Sequence, residues 1–383
     1  MTMKRGILIA VGVLLVLAGL RTSWNTASTS QGLDFYQFWI GGQEAPHVRG
    51  ALWSLETAKT LGTTYYYRAA SGKSERMYVV ASGRRELELF STPFLYTCFG
   101  ALPADYERAY LIWSILGLVA LVAAIAIMAR ALRWPIAGFL FFLAFVLLLF
   151  QPLTSELRVE NVNEVQLLII AAYVVTPPAV RGAILGIAIA LKPNVAIALP
   201  LVIAFELALD RRKLLPEMLG VVAGGGAAVA VSSAYFQSAT VWIDWLRAAR
   251  TLSQTIYARE TGNVAPALFL GRYAWVLAVV LTIAAAFLLV RYRNASAELA
   301  VSLGLLVYLL SAPLAWLHYL LLAIPLGMIL LSSPSMVVKA ISGAGVALIA
   351  ATLTTLGLIG LAIAAAVGLL TDSLLPSRST GLH

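Results

Sequence analysis

The chain has 383 residues, of which 61% are hydrophobic and 12% charged, with a net charge of +9 and one cysteine, Cys98. That composition excludes an ordinary soluble domain, and a single cysteine excludes an internal disulfide. The basic residues are spread over many loops, which fits positive-inside sorting and anionic headgroups better than nucleic-acid binding.

Apolar runs of about 15 to 22 residues recur almost to the C-terminus, the pattern of a polytopic helical membrane protein. Period-two alternation, which a barrel would need, is absent. Residues 6–22 form the first predicted span, with Lys4 and Arg5 holding the N-terminus in the cytoplasm. No small-residue cleavage site follows, so this reads as a retained helix rather than a signal peptide.

A polar, aromatic loop over residues 22–93 comes next, on the outer side. Structureless loops of that length are rare unless functional, so one or two short surface helices are expected in it. It opens on Gly32-Leu33-Asp34-Phe35-Tyr36-Gln37-Phe38-Trp39. A carboxylate at a membrane exit can act as a general base for an acceptor hydroxyl. Phe35, Tyr36 and Trp39 can stack on sugar rings or anchor the loop at the interface. Arg84-Arg85 lies further along the same loop.

The run over 94–104 is too short to span and is predicted to be re-entrant or packed inside the bundle. Spans are then expected over 109–128, 136–150, 164–178, 214–235, 271–290, 296–312, 317–332, 337–352 and 353–370. Residues 182–208 are expected to form two short crossings broken at Lys192-Pro193, since proline ends a helix. That reading places Arg130, Arg133, Arg181, Arg211, Arg212, Lys213, Arg291, Arg293 and Lys339 on the cytoplasmic side. One unbroken helix would put Arg211-Arg212-Lys213 outside. The expected fold is therefore a single all-α polytopic membrane domain of about 12 transmembrane helices with both termini cytoplasmic.

This frame gathers Asp34, Glu160-Asn161, Lys192, Asn263 and His318 at the outer face. Ionisable groups at membrane edges are costly and are usually functional. Lys192 at a helix break can hold a lipid phosphate or snorkel to headgroups. His318, beside Trp316 and Tyr319, can bind phosphate oxygens, orient a base or serve a structural role. Glu160 is a second possible acid or base, and Asn163 can cap the following helix. Gly224-Gly225-Gly226 lies inside a span and reads as close helix packing. No P-loop, HExxH, Cys/His cluster or Gly-x-Ser-x-Gly elbow is present.

In this order the motifs resemble the GT-C membrane glycosyltransferases. They are most similar to glycosyltransferase family 87, the polyprenol-phosphate-mannose-dependent α-mannosyltransferases. The resemblance runs over roughly 30–330. It is carried by Asp34-Phe35-Tyr36-Gln37-Phe38-Trp39, by Phe90-Ser91-Thr92-Pro93 through Trp113, and by Lys192-Pro193 and Gly262-Asn263. Ser311 to Tyr319 also takes part, with Ala312 inserted before Pro313. Glu160-Asn161-Val162-Asn163 stands where the family has Gly-Gln-x-Asn, a departure at two positions that bears on sugar specificity.

The resemblance implies a GT-C-like bundle in the inner (plasma) membrane, with its catalytic site on the outer loop. A sugar, mannose or another hexose or pentose, would move with inversion from a polyprenyl-phosphate donor to a lipid or glycan acceptor. Asp34 would be the base. Lys192, His318, Arg84 and Arg85 would face the donor phosphate, with Arg158 and Arg272 in reserve. Phe35, Tyr36, Trp39, Glu160, Asn161, Asn263, Trp316 and Tyr319 would line the substrates. The scheme requires no cofactor, nucleotide or metal, although Asp34 and Glu160 leave a metal open. The competing class is a transporter or lipid flippase. It would need charges at mid-span, whereas Glu206 and Glu217 lie towards inner ends.

Overall fold

The computed structural model describes residues 3–209, 211–251, 262–292, 296–371 and 373–374. Those residues are almost wholly helical and contain no strand; one isolated bridge joins Asn263 to Trp316. In chain order the helices are α1 (Met3–Thr29), α2 (Leu33–Val48), α3 (Leu55–Ser71), α4 (Glu75–Gly83), α5 (Pro93–Gly100) and α6 (Tyr106–Ala131). Then come α7 (Ile136–Leu149), α8 (Gln151–Val159), α9 (Asn163–Val175), α10 (Pro178–Leu191), α11 (Leu199–Leu209) and α12 (Arg211–Tyr235). The last are α13 (Val241–Thr251), α14 (Ala274–Arg291), α15 (Ala297–Ser311), α16 (Ile324–Leu331), α17 (Met336–Ala350) and α18 (Thr354–Leu370). Short 3₁₀ segments cover Arg49–Trp53, Pro193–Ala198, Pro266–Tyr273 and Leu317–Ala323.

Among the described residues four helical stretches are long and apolar enough to cross a bilayer: α1, α6, α12 and the run Pro266–Arg291. A fifth follows if α7 and α8, bent by 59° at their junction, count as one. Lengths alone thus support fewer crossings than the dozen expected. The remaining apolar helices have 10–17 residues, and at 1.5 Å per residue they fall short of a hydrocarbon core of about 30 Å. The eight-residue α5 does not span, as its length required.

The long loop folds further than expected. Its helices α2, α3 and α4 replace the one or two anticipated, and the first span continues to Thr29. Local chemistry starts each of them. Ser54 and Ser74 accept from the Thr57 and Met77 backbone N–H at 3.1 and 2.9 Å, satisfying donors that the first helical turn leaves open. Helix α5 starts on Thr92, which accepts from Leu95 N–H, with Pro93 in the first turn. Thr92 Oγ1 also donates to the Leu191 carbonyl at 3.0 Å, tying α5 to the end of α10.

Two cores result. One is the aliphatic interior of the bundle, running from Leu121 and Leu147 through Leu201 and Leu305 to Leu361. The other is an aromatic layer formed by α2 to α5, the start of α6, and Phe236 and Val241. Phe35 meets Tyr110 edge-on at 5.2 Å, Trp39 meets Tyr106 at 5.2 Å, and Phe38 meets Phe99 at 5.3 Å. Each such pair contributes about 0.5–1.5 kcal/mol beyond the area it buries.

The predicted break in 182–208 is present: α10 ends at Leu191, and Lys192 is extended at φ −152°, ψ 114°. Helices α10 and α12 pack backbone to backbone. A Cβ at Gly182 would strike the Glu217 carbonyl, and one at Gly224 would strike the Ala183 carbonyl. Gly226 faces open space, so of the triple-glycine run it is Gly224 that makes the close approach. Arg181, counted from sequence among the sorting cations, is also a half-buried ion-pair partner. It pairs with Glu206 at 2.8 Å and Glu217 at 2.7 Å, while Tyr173 donates to Glu217 at 2.8 Å. The close crossing at Gly182 brings Glu217 beside it.

Candidate active site

The aromatic layer and the bundle meet at Asp34. Gly32 sits in the left-handed region at φ 66°, where L side chains are strained, and a Cβ there would strike the Tyr110 ring. Its N–H donates to the Arg158 carbonyl at 3.2 Å. This turn starts α2 and brings Asp34, in the first turn of the helix, over the α8–α9 connection. That connection bends at Glu160, a non-glycine residue at φ 54°, a conformation that costs about 1 kcal/mol or more.

Asn161 links the cluster. Its Nδ2 donates to Asp34 Oδ2 at 2.6 Å and lies 3.5 Å from His318 Nε2. Its Oδ1 accepts from Lys192 Nζ at 3.0 Å and from Val162 N–H at 2.8 Å. Two donors on the oxygen fix the amide's orientation, so its NH₂ group must face Asp34. His318 Nε2 is 3.8 Å from Asp34 Oδ2. Lys192 Nζ also reaches Asn163 Oδ1 at 3.3 Å and lies 4.1 Å from the centre of the Tyr319 ring, a cation–π distance. The Tyr319 ring meets the His318 ring edge-on at 4.7 Å. Asp34 side chain keeps 16% exposure and His318 5%.

Burial pushes the Asp34 carboxyl above its ordinary value. The Asn161 bond, the Arg84 and Lys192 charges and the Gln37 bond work against that rise. Lys192 is pushed down to about 8 by burial, opposed by Glu156, Asp34 and Glu164. Glu160 is pushed up to about 8, chiefly by burial, so it is largely a neutral acid at pH 7.

Of the residues singled out from sequence, Asp34, Asn161, Lys192, His318 and Tyr319 come together in this cluster. Arg84 is near enough for its charge to act on Asp34, and it pairs with Glu88 at 2.8 Å. Arg85 is exposed, with its guanidinium 4.1 Å from the Tyr66 ring centre. Phe35, Tyr36 and Trp39 are 0, 0 and 2% exposed and form the aromatic core behind Asp34, not an open stacking surface. Trp39 donates its indole N–H to the Pro103 carbonyl at 3.0 Å. Glu160 turns to α6, where Ser114 donates to it at 3.0 Å.

Asn263 clamps backbone: it donates to the Pro313 carbonyl at 3.1 Å and accepts from Ala265 and Ala315 N–H. Trp316, half-buried, bridges to Asn263 and faces Gly262. Arg158 and Arg272 are exposed, and Arg272 bonds Tyr273 at 2.8 Å. Asn163 does not cap α9. Its N–H and Nδ2 both donate to Glu156, at 3.0 and 2.6 Å.

Two contributors were missed from sequence. Gln37 donates to Asp34 Oδ1 at 3.2 Å and accepts from Glu88 N–H at 3.1 Å. Its spacing of three from Asp34 was the available signal once 33–48 is helical. Glu156, which holds Asn163 beside Lys192, left no local signal. Among the described residues no group of three His, Cys, Asp or Glu side chains is arranged to hold a metal ion.

Fold and site together define an all-helical membrane protein that gathers a carboxylate, an imidazole and an ammonium group at one end of its bundle. Residues 91–317 match glycosyltransferase family 87. The match spans more than half the chain, which therefore belongs to that family and is a glycosyltransferase. No curated protein and no solved structure shows a significant match to it. The matched stretch contains Glu160, Asn161, Lys192, Asn263 and Trp316 but stops before His318 and excludes Asp34. Geometry, not the family match, adds those two.

Proposed function

We propose that the protein is an inverting transferase that moves a sugar, mannose or a related hexose or pentose, from a polyprenyl-phosphate donor to a lipid or glycan acceptor. The observation that carries this reading is the convergence of Asp34, Asn161, Lys192 and His318, from four separate segments, into one bonded cluster. A polyprenyl-phosphate sugar is the donor class that suits it. The leaving group is a phosphate, and charge developing on it is stabilised by a fixed cation.

Asp34 is the base. A carboxyl raised towards the working pH transfers protons more effectively than an ordinary one, provided it is still ionised. The acceptor hydroxyl gives its proton to Asp34 as its oxygen bonds to C1 of the sugar. The C1–oxygen bond to phosphate breaks on the opposite face, and polyprenyl phosphate departs beside Lys192 and His318. Arg84 adds positive field on the Asp34 side, while Asn263 holds the backbone of the segment that leads to His318.

The topology that supports this reading has about twelve crossings, the short apolar helices pairing across breaks such as Lys192-Pro193. The Asp34 end then faces outward from the plasma membrane, opposite the cytoplasmic arginines. Membrane lipids surround the bundle and supply both substrates laterally.

The transporter reading is weaker. Arg181, Glu206 and Glu217 are paired with one another, so these charges do not line an open path, whereas Asp34, Asn161, Lys192 and His318 form a separate cluster.

The test is to incubate purified protein with labelled polyprenyl-phosphate mannose and membrane lipids. The native protein should transfer label. Asp34→Asn keeps shape and hydrogen bonding but cannot take the proton, so turnover should fall by about 10²–10⁴-fold while donor binding persists. Near-normal transfer by Asp34→Asn would remove Asp34 as base.

A further inference from the structure

Helix α13 is clamped on one face and bare on the other. Val241, Trp245 and Ala248, spaced by four and three, turn inward against the aromatic layer. Trp245 donates its indole N–H to the Phe90 carbonyl at 3.2 Å. Trp242 donates to Ser232 Oγ at 2.8 Å, and this bond sets the height of the helix. Ser232 lies in the last turn of α12, a helix long and apolar enough to cross a membrane. Its neighbours Val229 and Val231 are exposed at 41% and 53%. The start of helix α13 is therefore tied to the end of a candidate span, where hydrocarbon gives way to headgroups.

The opposite face consists of Ile243, Leu246, Arg247 and Arg250, spaced by three, one and three, all exposed. Ile243 and Leu246 keep about half their surface bare, at 49% and 50%, which a water-facing stripe would not favour. Arg247 and Arg250 sit one helical turn apart, as neighbours on the helix surface. Two guanidinium forks at that spacing suit phosphate oxygens. Asp244, the acidic residue on α13, accepts from Thr240 at 2.9 Å, lies against Gly50, and pairs loosely with Arg247 at 3.5 Å, which leaves the Arg247 side chain 76% exposed. The bare face is thus apolar and cationic together, the composition of a helix that lies in a membrane interface.

We propose that this face of α13 docks on the bilayer surface, with Ile243 and Leu246 at the headgroup–acyl boundary and Arg247 and Arg250 on lipid phosphates. A second copy of the chain is a poor occupant, because a two-fold contact would press two copies of the same cationic face together. The docking also reaches the active-site layer. Asp244 packs on the 3₁₀ turn that follows α2, and Trp53 of that turn stacks on Phe236 at 5.6 Å.

The test uses the full-length protein with Cys98→Ser, reconstituted in mixed phosphatidylcholine and phosphatidylglycerol vesicles. Leu246→Cys carries an environment-sensitive fluorophore, and Ile243→Cys is a second probe should the first not fold. Glu56→Cys on α3 is the exposed control. Lipids bearing a nitroxide near the top of the acyl chain should quench position 246 about threefold more than position 56, and aqueous iodide the reverse. Adding Arg247→Glu and Arg250→Glu should reduce the lipid quenching. Equal iodide quenching at 246 and 56 would overturn the proposal. So would a probe at 246 shielded from both quenchers until the protein is diluted among vesicles, which would mark a contact between copies.

Discussion

Replacing Asn161 with alanine separates a working cluster from a merely packed one. The side chain gives Asp34 a 2.6 Å bond from Nδ2, and its oxygen is held by Lys192 and Val162. A hydrogen bond to a charged group contributes about 1.5–3 kcal/mol. At 1.36 kcal/mol per factor of ten, its loss lowers the rate by about 10- to 150-fold if the bond persists in the transition state. The bond also favours the ionised carboxylate, opposing the burial that raises its pKa. Without it Asp34 holds its proton to higher pH. In the proposed mechanism the carboxylate is the active form, so activity should be lost on the acid side and recovered as pH rises.

The assay is kcat and kcat/KM with polyprenyl-phosphate mannose over roughly pH 5 to 9 for native protein, Asn161→Ala and Asn161→Asp. The acid limb should move to higher pH in the alanine variant. Lys192 keeps Asn163 and Tyr319, so KM for the donor should change less than kcat. The aspartate variant sets two carboxyls at bonding distance, where one must stay protonated near neutrality, and its activity should be lower still. A uniform fall at every pH, with the acid limb in place, would refute the reasoning and leave Asn161 a packing residue.

Lys192→Ala should weaken donor binding as well as rate, by about tenfold or more in Kd, because the cation proposed to face the donor phosphate is lost; titration with a polyprenyl-phosphate analogue reads this, and an unchanged Kd would move the phosphate site elsewhere. Gly224→Val should lower the yield of folded protein and its melting temperature in detergent, because its Cβ meets the Ala183 backbone, whereas Gly226→Ala, facing open space, should melt within a degree or two of native. Equal behaviour of the two glycine variants would contradict the α10–α12 packing.

The sequence by itself determined what depends on neighbours in the chain. Apolar runs make this a membrane protein whatever their partners are, because unpaired backbone in lipid leaves few alternatives to helices. Proline after Lys192 breaks the helix there in any tertiary setting. The brevity of 93–100 keeps α5 from spanning. Asp34, Asn161, Lys192 and His318 stood out because polar groups in such surroundings need a reason.

Tertiary structure decided how those groups are used. Aromatics beside a carboxylate read equally as a sugar platform or as a core; packing against Tyr106 and Tyr110 turned Phe35, Tyr36 and Trp39 inward. Glu160 was read as a second acid or base beside Asp34, and a left-handed turn points it at Ser114 instead. Asn263 was read as a substrate contact, and it holds backbone of the 313–316 segment. Arg181 resembled any sorting cation until the glycine crossing set Glu217 against it. Each of these outcomes depends on which distant helix arrives at contact distance, and side-chain partners 25 to 75 residues apart leave no periodicity to read. The chain therefore announces which residues are expensive to place, and only the packed bundle decides which of them meet.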